Sequence, residues 1–272
     1  MSEDSSEAAQ SDVDLNSKAR GLFRASKEHF KDLGPPWLVA LVALAIFFVS
    51  QFVAVVLVSI GLAAFKPNTS IVELLDQSAP IQFIYVLVAE GLVVALTILV
   101  VKKWRGLSLK AIGLGRRPHL WDVARALGGI VTFYALVIIS SILISVFMPD
   151  LDTEELQDVG FDALNSWLDT VLAFVALVIL PPIGEETLMR GYLYSGLRAR
   201  MRFFLAMIIT SVLFGVAHLG TGSSSAPLWI AGLNTFLLSL VLVYLREKSG
   251  ALYAPMLVHA TNNLVAFTVH FK

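Results

Sequence analysis

The chain has 272 residues, of which 57% are hydrophobic and 15% are charged, and its formal net charge is −1. Soluble domains contain about 45–50% apolar and about 25% charged residues, so this composition indicates an integral membrane protein. The near-neutral charge gives no sign of a nucleic-acid partner. The absence of cysteine excludes disulfides, thiolate metal sites and cysteine nucleophiles.

Seven apolar stretches are long enough to cross a bilayer as helices, which takes about 20 residues each. They run over about Trp37–Phe65, Ile81–Val101, Leu120–Met148, Trp167–Tyr194, Phe203–Leu219, Leu228–Leu245 and Ala251–His270. They predict an all-α fold, a polytopic membrane bundle of about seven transmembrane helices. Before them, Met1–Asn16 is polar and acidic, which is typical of a disordered tail. The segment Gly21–Leu33 is either an interfacial amphipathic helix or a solvated basic linker.

Basic residues predict the orientation of the bundle. They precede the first stretch and follow the second, fourth and sixth stretches, which all lie on one side if there are seven spans. The residues are Lys18, Arg20, Arg24, Lys27 and Lys31; Lys102, Lys103, Arg105, Lys110, Arg116 and Arg117; Arg198, Arg200 and Arg202; and Arg246 and Lys248. By the positive-inside rule the N-terminus is cytoplasmic and the C-terminus is outside. In a bacterium this membrane would be the plasma membrane.

Two adjacent glutamates, Glu185 and Glu186, interrupt the fourth stretch just after Pro181 and Pro182. An ionised carboxylate at bilayer depth costs on the order of 3 kcal/mol or more, so the pair indicates a functional site. Glu186 and Arg190 are four residues apart and share a helix face. Glu185 is turned by about 100° from Glu186. We therefore expect Arg190 to hold one carboxylate while the other faces a cavity.

Two later stretches carry polar residues at a matching depth. Counted from the basic residues that end each stretch, Glu185 lies about 20 Å deep, His218 about 24 Å and His259 about 16 Å, at about 1.5 Å per helical residue. Asn263 shares a face with His259, and the ring of Phe214 can pack beneath His218, because each pair is four residues apart. Three helices therefore place ionisable groups near one level.

These residue types are sufficient for hydrolysis. A glutamate in an apolar site can act as a general base on water. A histidine can share that water or protonate a leaving amine. A histidine and an asparagine one turn apart can donate hydrogen bonds to a developing oxyanion. The zinc-protease pattern HExxH is absent from the sequence.

The three motifs resemble those of the CPBP family, the intramembrane peptidases related to type II CAAX prenyl endopeptidases and the Abi proteins. That family carries EExxxR, FxxxH and HxxxN on successive core helices. Here they read Glu185 to Arg190, Phe214 to His218 and His259 to Asn263. The resemblance covers roughly 168–267, and it divides the chain into a polar cytoplasmic tail over 1–34, N-terminal transmembrane helices over 35–165 and a CAAX protease-like catalytic core over 166–272.

The resemblance implies an intramembrane endopeptidase that hydrolyses peptide bonds of membrane-associated proteins or peptides, with CAAX-type C-terminal processing as the family precedent. Glu185 would be the base, assisted by His218, and Glu186 and Arg190 would support the geometry. His259 and Asn263 would form the oxyanion hole. The expected partners are a membrane-anchored substrate and the lipid bilayer.

Several alternatives remain open from the sequence. Glu185, His218 and His259 match a zinc-hydrolase ligand set. No carboxylate that would orient the histidines is evident, however, and Asn263 suits an oxyanion better than a metal, so metal-free chemistry with no required cofactor is favoured over zinc. Glu90 and Gln51 either satisfy neighbouring helices or, for Glu90, line the cavity. The rival functions are a non-catalytic scaffold or bacteriocin-immunity protein and a proton-coupled transporter.

Overall fold

The structure, a computed structural model, describes residues 30–65, 78–148, 160–161, 164–220 and 228–271. The predicted disordered tail Met1–Asn16 and most of the candidate amphipathic segment Gly21–Leu33 lie outside the described residues. Within the described ranges the chain is helical and contains no strand, which confirms the predicted all-α bundle.

Seven long helices correspond to the seven apolar stretches. They are α1 (Pro36–Phe65), α2 (Ala79–Leu99), α3 (Leu120–Phe147), α4 (Trp167–Arg200), α5 (Phe203–Ala217), α6 (Trp229–Ser249) and α7 (Tyr253–His270). By length and composition α1, α2, α3, α4 and α6 can each cross a membrane. The helix α5 has 15 residues, and α7 carries two histidines and two asparagines among its 18. The protein is a multi-pass membrane protein, and the orientation of its termini stays a prediction.

Local signals explain several helix ends. At the start of α3 the side chain of His119 accepts a hydrogen bond, and the backbone N–H of His119 donates one to the carboxylate of Asp122. Ser166 accepts from the backbone N–H of Asp169 at the start of α4. Gly250 ends α6 with a φ of 66°, a left-handed conformation that glycine adopts without strain.

The helix α4 is not uniformly α-helical, and its irregularities lie around the glutamates. Val175–Ile179 and Thr187–Tyr194 are π-helical, on either side of the α-helical segment Leu180–Glu186. Pro181 cannot donate a backbone hydrogen bond to the carbonyl of Leu177, four residues earlier. Short π-helical segments occur frequently at functional sites.

The helix α4 packs at the centre of the bundle, where α1, α2, α5, α6 and α7 all contact it. The main core lies between α1, α2, α4, α5 and α6, and a second core joins α3 to α6 and α7. Only 6% of the apolar segment of α3 is buried, so α3 lies on the outside of the bundle. Large apolar side chains such as Phe48, Val131 and Ile208 are exposed on the outer faces, as expected for helices that contact lipid.

Candidate active site

The two adjacent glutamates occupy different environments. Glu186 is completely buried, whereas 24% of the Glu185 side chain is exposed. The Nη1 of Arg190 donates to Glu186 Oε1 at 2.8 Å. The Arg190 guanidinium also lies 4.2 Å from the centroid of the Phe214 ring, a cation–π contact. One carboxylate is therefore held inside the protein by an arginine one turn away, and the other faces a cavity.

His259 joins α7 to both glutamates. Its Nδ1 lies 2.9 Å from Glu186 Oε1, and its Nε2 lies 3.9 Å from Glu185 Oε2. A carboxylate only accepts hydrogen bonds, so the Nδ1–H of His259 is the donor to Glu186. The Nε2 of His259 can consequently donate to another group only when the ring carries both protons. The sequence did not predict this bond, because spacing along α4 and α7 does not give their relative rotation.

His218 is fixed by its own helix end. Its Nδ1 lies 2.8 Å from the carbonyl oxygen of Phe214, which only accepts, so the Nδ1–H donates. In the neutral ring the Nε2 then carries the lone pair and can accept a proton. The rings of Phe214 and His218 lie 4.7 Å apart, so the predicted packing of this pair is present. Gly215 allows α5 to approach α6 closely, because a Cβ there would lie 2.9 Å from the carbonyl oxygen of Gly232.

Two cavities meet at Glu185 and His218. The first, here called the α1 cavity, is about 280 Å³ and is enclosed by α1, α2, α4 and α5; Gln51, Glu90 and Phe214 are among its lining residues. The second, the α7 cavity, is about 480 Å³ and is enclosed by α4, α6 and α7; His259, Asn262 and Asn263 line it. Glu185 and His218 line both, so a water or peptide carbonyl in either cavity can reach them.

Asn263 has a structural contact as well as a place in the α7 cavity. Its Nδ2 donates to the carbonyl oxygen of Leu177 at 2.9 Å. This is the carbonyl that Pro181 leaves without its helical donor, so Asn263 supplies the missing hydrogen bond. An amide Nδ2 carries two hydrogens, and one remains for a group in the cavity. Its predicted oxyanion role is thus compatible with a second role in joining α7 to α4.

Gln51 on α1 and Glu90 on α2 have different surroundings. The hydroxyl of Tyr85 donates to Gln51 Oε1 at 2.6 Å, so Gln51 satisfies a neighbouring helix. Glu90 takes the other alternative and lines the α1 cavity. The sequence signal for Glu90 was its burial cost alone, because it belongs to none of the three motifs.

A catalytic zinc site needs about three protein ligands around one point. Among the described residues, no three His, Asp or Glu side chains are placed to share a metal ion. His259 does have an orienting carboxylate in Glu186, contrary to the expectation from the sequence. That carboxylate holds Nδ1, while Nε2 faces Glu185. As arranged, Glu185, His218 and His259 do not form a zinc ligand set.

The segment that carries the three motifs matches a known family model. Residues 167–265 match the family model described as type II CAAX prenyl endopeptidase Rce1-like. This matched segment, which is similar to that family, is called the Rce1-like domain below. It contains Glu185, Glu186, Arg190, His218, His259 and Asn263, and it excludes α1, α2 and α3.

Three curated relatives are similar to parts of the chain. An uncharacterized 24.3 kDa protein of Escherichia coli is 37% identical over 93 residues, which cover 34% of this chain and 41% of that protein. The UPF0177 protein YxdF of Lactococcus lactis is 26% identical over 146 residues, 53% of this chain and 76% of YxdF. The UPF0177 protein YbdI of the same organism is 32% identical over 104 residues, 37% of this chain and 54% of YbdI. No solved structure matches the chain.

Proposed function

We propose that the protein is an intramembrane endopeptidase in which Glu185, assisted by His218, activates a water molecule. The observation that carries the proposal is that the two adjacent glutamates differ in their hydrogen bonds. Glu186 is held by Arg190 and His259, while Glu185 makes no hydrogen bond among the described residues and lines both cavities beside His218. A carboxylate that makes no hydrogen bond and lies beside an imidazole is suited to accept a proton from water.

The proposed reaction follows from the donors and acceptors of the site. Glu185 accepts a proton from the water, whose oxygen attacks the carbonyl carbon of the scissile peptide bond. The Nε2 of His218 accepts the second hydrogen bond of this water. The C–N bond then breaks, and the proton passes from Glu185 to the leaving amine. The products are a carboxylic acid and an amine, which ionise to a carboxylate and an ammonium, and no covalent intermediate is formed with the protein.

The developing oxyanion needs donors that are already in place. Asn263 offers the second hydrogen of its Nδ2, and His259 offers its Nε2–H when the ring carries both protons. Glu186 fixes the ring through Nδ1, and Arg190 fixes Glu186, so these two act as positioning residues. Oriented donors of this kind typically contribute about 10²–10³-fold each to kcat.

The proposed substrates are membrane-associated proteins or peptides cleaved near a terminus. The family description names CAAX prenyl endopeptidases, so a lipidated C-terminus is the first substrate class to examine. The apolar outer faces and the cavities between helices suit a substrate that is itself anchored in lipid. The proposed chemistry requires no metal.

The test uses the purified full-length protein in liposomes with a fluorogenic peptide that carries a farnesylated cysteine three residues from its C-terminus. We expect cleavage by the native protein and a loss of at least about 10³-fold in kcat for Glu185→Gln. We also expect cleavage to persist in the presence of a metal chelator. Full activity of Glu185→Gln would contradict the proposal.

A peptide that is not cleaved requires a second experiment with the cell's own proteins. Membrane proteomes of cells that express the native protein or Glu185→Gln are compared for new protein termini. Termini that depend on Glu185 identify the substrate. A full biological effect of both Glu185→Gln and His259→Ala would instead favour a non-catalytic scaffold.

A further inference from the structure

Glu90 is a third carboxyl group at the candidate active site, contributed from outside the Rce1-like domain. It lies on α2, is 9% exposed and lines the α1 cavity together with Glu185 and His218. Its Oε2 is buried, and Glu90 makes no hydrogen bond or ion pair among the described residues. Since a buried polar atom without a partner destabilises the fold, this side chain calls for a functional explanation.

The packing against α4 brings Glu90 next to the base. Gly184 precedes Glu185 in the chain, and a Cβ at Gly184 would overlap the Oε2 of Glu90. The glycine therefore leaves room for the Glu90 carboxyl group against the backbone of α4. A side chain at this position would force the Glu90 carboxyl group to move.

Among the described residues, the groups that face Glu90 include no lysine or arginine. They are Gln51 from α1, Tyr85 from α2 itself, Gly184 and Glu185 from α4, and His218 from α5, which also line or border the α1 cavity. Gln51 Oε1 is already engaged by Tyr85. The Nδ1–H of His218 is engaged by the carbonyl of Phe214. None of these contacts compensates a negative charge on Glu90.

The charges around the site also favour a neutral Glu90. In the proposed reaction Arg190 and the doubly protonated ring of His259 balance Glu185 and Glu186. A third ionised carboxylate would then stand without a cation in a medium of low dielectric constant, where an unpaired buried charge is costly. A neutral carboxyl group at Glu90 avoids this cost and supplies an O–H donor. Glu185, which makes no hydrogen bond among the described residues, lines the same cavity and can accept from this donor.

We propose that Glu90 is a positioning residue: a neutral carboxylic acid that donates a hydrogen bond to Glu185 and orients that carboxylate toward the water. This inference rests on the proposed function, because the role of Glu90 acts through Glu185. No covalent bond changes at Glu90, and the proton that it donates stays on Glu90 during the reaction. The helices outside the Rce1-like domain thus contribute one functional group to the site.

Two substitutions of Glu90 separate the effect of its hydrogen-bond donor from the effect of its volume. Glu90→Gln keeps the shape and offers an N–H donor, and Glu90→Leu keeps the volume without a donor. With the farnesylated fluorogenic peptide, we expect Glu90→Leu to lower kcat about 100-fold, because a misplaced group costs about this much, and to leave KM unchanged. We expect Glu90→Gln to retain kcat within about threefold. The control is Leu87→Ala, one turn away on the outer face of α2, which should behave as the native protein.

A spectroscopic measurement tests the same proposal without turnover. The infrared C=O stretching band of a protonated carboxylic acid should be present in the native protein at neutral pH and absent in Glu90→Gln. In Glu185→Gln the band should remain but shift, because the acceptor of its hydrogen bond has changed. A band that is unaffected by Glu90→Gln would overturn the proposal even if Glu90→Leu failed to fold.

The outcomes distinguish this proposal from the one on which it rests. If Glu185→Gln is inactive while Glu90→Leu is fully active, the role of Glu90 is wrong and the peptidase proposal stands. If Glu90→Gln is as inactive as Glu90→Leu, Glu90 is not a simple donor and the proposal fails. If Glu185→Gln keeps full activity, the proposed function itself fails.

Discussion

Among the described residues, two buried clusters of polar and charged side chains lie along α4 and include residues of the neighbouring helices, and they differ in how their carboxylates are paired. The helix-end cluster consists of Tyr194, Arg198, Arg246 and Glu247. There Glu247 accepts from Arg198 through two nitrogens, at 3.0 and 2.9 Å, and from the hydroxyl of Tyr194. The mid-helix cluster consists of Glu185, Glu186, Arg190 and His259, with Glu90 beside it. There one carboxylate is paired, while Glu185 and Glu90 make no hydrogen bond among the described residues.

The difference teaches how a buried carboxylate can be assigned to structure or to function. In the helix-end cluster the carboxylate is fully engaged by donors from α4, and none of the four residues lines either of the two cavities. In the mid-helix cluster the carboxylates outnumber the arginine, and Glu185 and Glu90 line the α1 cavity. An engaged carboxylate stabilises the fold, whereas one that faces a cavity without a partner is free to react.

The largest effects should come from replacing one glutamate by glutamine in each cluster. Glu247→Gln leaves Arg198 buried without its carboxylate and should lower the free energy of unfolding by about 3–5 kcal/mol, with the kcat of the folded fraction unchanged. Glu185→Gln should abolish turnover without lowering stability, because no hydrogen bond is lost. Thermal unfolding in detergent and peptide cleavage measure the two effects. The comparison fails if both variants lose stability to the same extent.

A smaller effect should show whether Glu90 belongs to the mid-helix cluster. Gly184→Ala places a methyl group against the Glu90 carboxyl and should cost about 1–3 kcal/mol in stability. The double variant Gly184→Ala/Glu90→Ala removes the overlap and should recover part of this loss. A double-mutant cycle of unfolding free energies gives the coupling. If the stability costs of Gly184→Ala and Glu90→Ala simply add, position 184 and the Glu90 side chain are not in contact.

Asn263→Ala should separate the structural contact of Asn263 from its proposed role in catalysis. Loss of the hydrogen bond to the Leu177 carbonyl should cost about 1 kcal/mol in stability. Loss of the oxyanion donor should lower kcat by about 10²-fold. The control is Asn262→Ala, since Asn262 lines the same cavity. A loss of stability with an unchanged kcat would limit Asn263 to joining the helices.

The smallest effect is expected at an exposed pair near the end of α4. Arg200 donates to Asp32 at 3.0 and 2.7 Å, and both side chains are about half exposed. Hydrogen bonds from Arg200 and from the backbone of Gly34 hold the pKa of Asp32 below its usual value. The contribution of Asp32 is therefore present at neutral pH and is lost as the pH falls through this lowered pKa. Asp32→Asn should change thermal stability little at pH 7, since water screens exposed pairs. A large loss of thermal stability in Asp32→Asn would show that an exposed ion pair can stabilise this protein as much as a buried one.

Part of the site could be predicted because it lies on one helix or in one motif. The spacing of Glu186 and Arg190 predicted their ion pair, and the spacing of Phe214 and His218 predicted the ring contact. Both follow from helical geometry over one turn, which depends little on the rest of the chain. The π-helical turns of α4 were not predicted, because their positions depend on packing and on Pro181.

The sequence by itself determined the all-α membrane fold and the inequality of the two glutamates. Apolar length, burial cost and helical spacing are local properties, so they can be read along the chain. Only the tertiary structure decided that His259 binds Glu186, that Asn263 supplies the donor missing at Pro181 and that Glu90 faces the cavity of Glu185. These contacts join residues that are 73, 86 and 95 positions apart. They depend on how each helix is rotated against its neighbours, which periodicity along a single helix does not specify.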